Sequence, residues 1–232
     1  TLFSADSEVL NFVRDSNGAD AMQVNASLYP ISSKDFGFAQ AQHLLNRAGF
    51  GGTPRQIEAL KAMGRDKAVD HLVEYQKTSA TDLAGPDADP DIIRPQTREQ
   101  RIAMRKARRD GDEALISKMN RERNMRRVND RRQLRQIEQS WLGRMIATPR
   151  PLEEKLTLFW HGHFASNHRT VRDSYLMLEQ NALFRRHANG SFVNLAHGVI
   201  KDPAMLRFLD NNRNVKRKPN ENLARELMEL FT

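Results

Sequence analysis

The sequence predicts an all-α protein: a multi-helix single domain carrying one long, basic helical excursion. Three observations lead there. Apolar residues recur at intervals of three and four in successive segments, as one face of a helix requires. Segment starts carry Ser, Thr, Asp or Asn caps, twice with Pro at the next position, at Thr53-Pro54 and Asp202-Pro203. No segment of strand length alternates with period two between turn signals.

Taken in order, residues 1–35 show weak periodicity and several turn formers. They read as an irregular extension packed on a helical domain of residues 36–232. Phe38, Ala41, Leu44 and Leu45 share a helical face, and Gly49 supplies the stop. Thr53-Pro54 opens a second helix with a stripe of Ile57, Leu60 and Met63. A third opens at Asp66 and should turn Val69, Leu72 and Val73 inward. Residues 78–95 hold Gly85, Pro86, Pro90 and Pro95 and read as a loop and internal boundary.

Residues 97–146 are helical by propensity, with an interruption at Asp110-Gly111. Ile137, Trp141, Leu142, Met145 and Ile146 form the part expected to pack, and the stretch before Leu134 should project outward. Residues 152–164 are richly apolar, and Gly162 marks an expected helix end. Thr170 with Asp173 resembles a capping box for the next helix. Ser191, Asp202 and Asn220 cap three more, the last carrying Leu223, Leu227, Leu230 and Phe231. That makes about nine helices by periodicity and caps.

Composition excludes several classes. The absence of Cys removes disulfide scaffolds, thiolate metal sites and thiol nucleophiles. No apolar run approaches the roughly 18 residues of a membrane-spanning helix. No Gly-rich loop leads into Lys-Ser or Lys-Thr, and no Ser sits in a nucleophile elbow. The net charge is +8, yet residues 94–135 alone hold 15 Lys or Arg against 6 Asp or Glu. The high charge therefore belongs to the segment from Arg94 to Arg135. Such a segment attracts an anionic polymer (a phosphate backbone or an acidic polysaccharide) or anionic lipid, by counterion release and steering. Alternatively it is a solvated face whose arginines pair with Glu99, Asp112, Glu113, Glu122 and Asp130. It lacks the interleaved aromatics that stack bases, so nucleic acid is the weakest of the partner readings.

The sharpest cluster of chemistry-bearing residues is Trp160-His161-Gly162-His163-Phe164. Two imidazoles two residues apart share an ion if the backbone turns between them, whereas on a helix they lie about 200° apart. His168 could join from the following loop. Glu221 and Glu226 supply carboxylates from the last helix. The candidate metal set is therefore His161, His163, Glu221 and Glu226, holding a divalent Zn or Fe ion. The candidate acid–base pair is His161 with Glu226. The bland alternative makes both histidines buried, hydrogen-bonded partners at a helix end, and Glu221, Arg225 and Glu229 an i,i+4 ladder. Asp210-Asn211-Asn212 reads as a helix-terminating loop. His43, His71, His187 and His197 read as structural.

Four stretches together resemble one family. They are His43-Leu44-Leu45-Asn46-Arg47-Ala48-Gly49-Phe50-Gly51, the run from Pro151 through Trp160-His161-Gly162-His163-Phe164, Asp202-Pro203-Ala204-Met205-Leu206 with Leu209-Asp210-Asn211, and Pro219-Asn220-Glu221-Asn222 with Ala224-Arg225-Glu226-Leu227-Met228-Glu229-Leu230-Phe231-Thr232. They resemble the bacterial family catalogued as domain of unknown function 1800, over roughly residues 36–232. The resemblance implies an exported protein, periplasmic or secreted, with no established activity. It also implies that this chain matches the family's N-terminal half, so that a C-terminal half of the same polypeptide should follow Thr232. The start at Thr1 rather than Met fits a processed chain. The expected function is a helical scaffold or binding protein whose basic segment docks an anionic surface or a co-exported partner protein. The alternative is a metal-dependent hydrolase or oxidase built on His161, His163 and Glu226.

Overall fold

A computed structural model describes residues 30–79 and 85–231. The expectations for residues 1–35 fall largely outside that range. The compact unit Ser33–Thr232 contains eleven α-helices among the described residues and no strand. None of those helices is long and apolar enough to cross a membrane.

Helices α1 (Phe38–Ala48), α2 (Pro54–Met63) and α3 (Arg65–Val73) close on one small core. Ala41, Leu45, Ile57, Leu60, Ala68 and Leu72 fill it. Thr53 caps α2 through a hydrogen bond from the Gln56 amide, with Pro54 at the first position, as the sequence implies. Val69 and Val73 do not turn inward; they remain 40% and 43% exposed. The covered stripe of α3 runs along Ala68 and Leu72, and the two valines sit one residue, about 100°, round from it. At Gly49 the chain passes so close to the start of the sixth helix that a Cβ would lie 2.8 Å from Pro151 Cβ. Glycine there permits close packing rather than an unusual backbone angle.

Helices α4 (Arg98–Asp110) and α5 (Glu113–Ala147) form a hairpin. Gly111 turns it in a left-handed conformation (φ 71°), and Asp112 caps α5 through the Leu115 amide. The interruption at Asp110-Gly111 is thus a genuine turn. The outward stretch is shorter than expected, because α5 is already fastened at Asp130 and Gln133. Asp130 Oδ2 lies 2.7 Å from His168 Nε2, and Oδ1 accepts from the Ser174 amide at 2.7 Å. Gln133 donates to Ser174 Oγ at 3.1 Å and exchanges hydrogen bonds with the Asp89 backbone. Conversely, Leu142 and Ile146, expected to pack, are 58% and 76% exposed.

The larger core joins α6 (Pro151–Phe164), α7 (His168–Val171), α8 (Ser174–Arg186), α9 (Phe192–Val199), α10 (Pro203–Phe208) and α11 (Asn222–Glu226). Phe164, Phe184, Leu195, Val199, Met205, Leu209 and Phe231 fill it. The expected capping box at Thr170 and Asp173 resolves into two caps instead. Asn167 caps α7, Arg172 (φ 56°) breaks the chain direction, and Asp173 caps α8. Asp202 caps α10 as anticipated, accepting from Met205 at 2.9 Å. After α11 the chain widens into one π-turn, Leu227–Phe231. The wider turn breaks the 3.6-residue register, which buries Phe231 and leaves Leu230 65% exposed.

Candidate functional site

The helix end expected at Gly162 does not occur. Helix α6 runs on to Phe164 and stops where Ala165 adopts a left-handed conformation (φ 46°). His161 and His163 therefore leave opposite sides of one helix, and each finds its own partner.

His161 lies between Trp141, with ring centroids 4.9 Å apart, and the edge-on ring of Phe184 at 4.7 Å. Its Nε2 is 3.2 Å from Asn181 Nδ2. Asn181 Oδ1 accepts from Arg185 at 2.6 Å, so the amide nitrogen faces the imidazole. His161 Nε2 thus accepts, and Nδ1 carries the proton. Burial, reinforced by the Arg185 cation, pushes the His161 pKa down to about 4. The ring is neutral, with its Nε2 lone pair already engaged.

Below it lies a charged node. Glu154 has no exposed surface. Its carboxylate accepts from Arg185 at 2.6 and 3.0 Å and from Trp141 Nε1 at 2.8 Å, while Arg144 approaches to 4.0 Å. A buried carboxylate with three aligned donor hydrogens is fully partnered. Local patterning does not single this carboxylate out, yet the residue order carries a signal for it: Glu154 shares the helical stripe of Thr157, His161 and Phe164. A charge on a stripe that otherwise faces the core requires a buried counter-charge.

His163 faces the chain end. Its Nε2 is 3.1 Å from the Phe231 carbonyl oxygen, which can only accept, so Nε2 donates. Its ring stacks on Phe159 and meets Trp160, Phe164 and Phe192 edge-on. Glu221 is exposed and pairs with Arg225 at 3.5 Å, the i,i+4 contact expected for that helix. Glu226 is half-buried on α11, and the imidazole hydrogen bonds go to Asn181 and Phe231 rather than to it. His168 is taken by Asp130. Among the described residues no three His, Asp or Glu side chains gather where they could hold one ion. The set His161, His163, Glu221 and Glu226 is accordingly not assembled, because α6 stays helical through Gly162.

The basic hairpin presents a different picture. Of the fifteen Lys and Arg between residues 94 and 135, Arg94 and Arg109 alone form an ion pair among the described residues, with Asp91 and Asp110. The counter-charges expected within the segment are engaged otherwise or stand apart. Asp112 is used as a cap and Asp130 by His168. Arg121 donates to Ser117 instead of to a carboxylate. Most of these cations therefore stand on the hairpin surface without an ion pair among the described residues, and α5, which carries eight of them, is rooted in the core.

A family model described as protein of unknown function (DUF1800) matches residues 43–232. No curated protein and no solved structure matches the chain.

Proposed function

The chain belongs to the DUF1800 family of proteins of unknown function, and we propose that it acts as a helical binding module whose α4–α5 hairpin docks an anionic partner. One observation carries this reading: thirteen of the segment's fifteen cations make no ion pair among the described residues, while α5 is fastened to the core at Asp130 and Gln133. A surface charge cluster left unpaired repels itself and weakens the fold. Keeping it on a pre-organised helix favours an incoming anionic group, because no ordering of that helix is required on binding. Residues 94–135 contain no aromatic side chain, which favours an acidic protein or polymer over single-stranded nucleic acid.

The test uses poly-L-glutamate as the probe. Binding should weaken steeply between about 0.05 and about 0.3 M salt, as screening shortens the reach of the charges. It should be lost when Arg121, Arg127, Arg131 and Arg132 are all changed to Gln, with the melting temperature not lowered, since relieving the self-repulsion can only help the fold. Salt-independent binding, or equal binding by the variant, would overturn the proposal.

A further inference from the structure

The outer face of α5 carries a regular pattern that simple anion attraction does not use. Lys118, Arg121, Met125, Val128, Arg132, Arg135, Gln139, Leu142 and Ile146 follow one another at alternating steps of three and four. All nine are exposed. They lie on the side of the helix opposite the buried Asp130, Gln133 and Ile137. At 1.5 Å per residue the line is about 42 Å long. It has the spacing of a coiled-coil seam, yet no element of the described structure covers it.

The pattern has its own grammar. A cationic pair (Lys118, Arg121) is followed by an apolar pair (Met125, Val128), a second cationic pair (Arg132, Arg135), and the apolar Leu142 and Ile146 beyond Gln139. Met125 and Leu142 are each 58% exposed, Val128 40% and Ile146 76%. None of the four cations has a carboxylate partner among the described residues.

We infer that this seam receives an acidic amphipathic helix from a partner protein, one that alternates Glu or Asp pairs with Leu-like pairs heptad by heptad. The inference rests on the anionic-docking reading above and gives it a substrate class. Charge complementarity selects the occupant. The seam contains no acidic side chain, so a second copy laid along it would set cation against cation in a parallel pairing. Antiparallel about Arg132, it would bring the two Arg132 side chains together. A structureless polyanion would satisfy the cations and leave the apolar rungs in water. A helix of matching period satisfies both, with its apolar rungs excluding water from the flanking ion pairs.

The test compares two peptides of identical composition. One has four heptads alternating Glu pairs and Leu pairs at the seam positions; the other has the same residues with the period scrambled. The periodic peptide should bind at least about tenfold more tightly and gain helical circular dichroism on binding. Changing Met125, Val128, Leu142 and Ile146 to Ser should abolish that preference while poly-L-glutamate still binds. Equal binding of both peptides would overturn the seam while anionic docking stands. Failure of the peptides and poly-L-glutamate together would overturn both readings. Binding to anionic phospholipid vesicles that the periodic peptide cannot displace would overturn the helical occupant in favour of a lipid surface. Self-association lost in the Ser variant would overturn it in favour of a second copy.

Discussion

Arg185 grips Glu154 through two nitrogens, at 2.6 and 3.0 Å, around a carboxylate with no exposed surface. The two residues join α6 to α8, and Trp141 and Arg144 bring in α5. Three helices therefore meet on one charge. Removing Arg185 strands that charge in the core, whereas removing the carboxylate leaves a partly exposed guanidinium that still donates to Asn181 Oδ1 at 2.6 Å. Arg185→Met should cost about 3–5 kcal/mol, and Glu154→Gln distinctly less. Urea unfolding of the two variants checks the asymmetry, and equal losses would contradict it.

The Asp130–His168 contact fastens the hairpin to the core. Burial raises the Asp130 pKa, but hydrogen bonds from His168 and Ser174 outweigh it and hold the carboxyl below its ordinary value. The stability this group contributes is therefore present above the ordinary carboxylate range and lost as acid titrates it through its lowered pKa. Asp130→Asn should cost about 2 kcal/mol. It should also speed amide hydrogen exchange in α5 before residue 134, more than in α8. Uniform exchange changes would remove the fastening role.

His161 gives a pH signature of opposite residue type but the same direction. Its folded pKa of about 4 lies below its ordinary 6.5. The unfolded chain takes up this proton first, so acidification from 6.5 towards 4 favours unfolding. The difference is on the order of 3 kcal/mol across that window. His161→Leu should remove this slope, so that the variant's stability rises relative to wild type as the pH falls from 7 to 4.5. Parallel stability curves would place a charged or exposed imidazole there instead.

Gly49 is fixed by proximity. Its neighbours are Pro151 Cβ and the Leu45 carbonyl, neither able to rotate away. Gly49→Ala should destabilise by about 1–3 kcal/mol through overpacking between α1 and α6. Gly64→Ala has open space around its Cβ but a φ of 78°, so any cost there is backbone strain alone. Calorimetry of both variants separates the two causes; a neutral Gly49→Ala would mean that α1 and α6 can part.

Features that local chemistry decides can be read from the order of residues alone. Helix starts at Thr53-Pro54, Ser191 and Asp202-Pro203 were legible because a cap bonds an amide three residues away. The all-α class followed from periodicity and the interruption of the basic stretch from Asp110-Gly111, whereas its folding back as a hairpin shows only in the packing of α4 on α5. The tertiary structure decided everything that depends on a distant neighbour. Which residues of α3 are covered depends on where α2 lies, so Val69 and Val73 gave way to Ala68 and Leu72. Whether α6 ends at Gly162 depends on the core that Phe164 enters, and that one outcome separates His161 from His163. The carboxylate that mattered in the core was Glu154 rather than Glu226, because its partner stands 31 residues along the chain. Hydrogen bonds across a single turn are written in the order of residues; ion pairs between helices exist only once packing has brought the helices together.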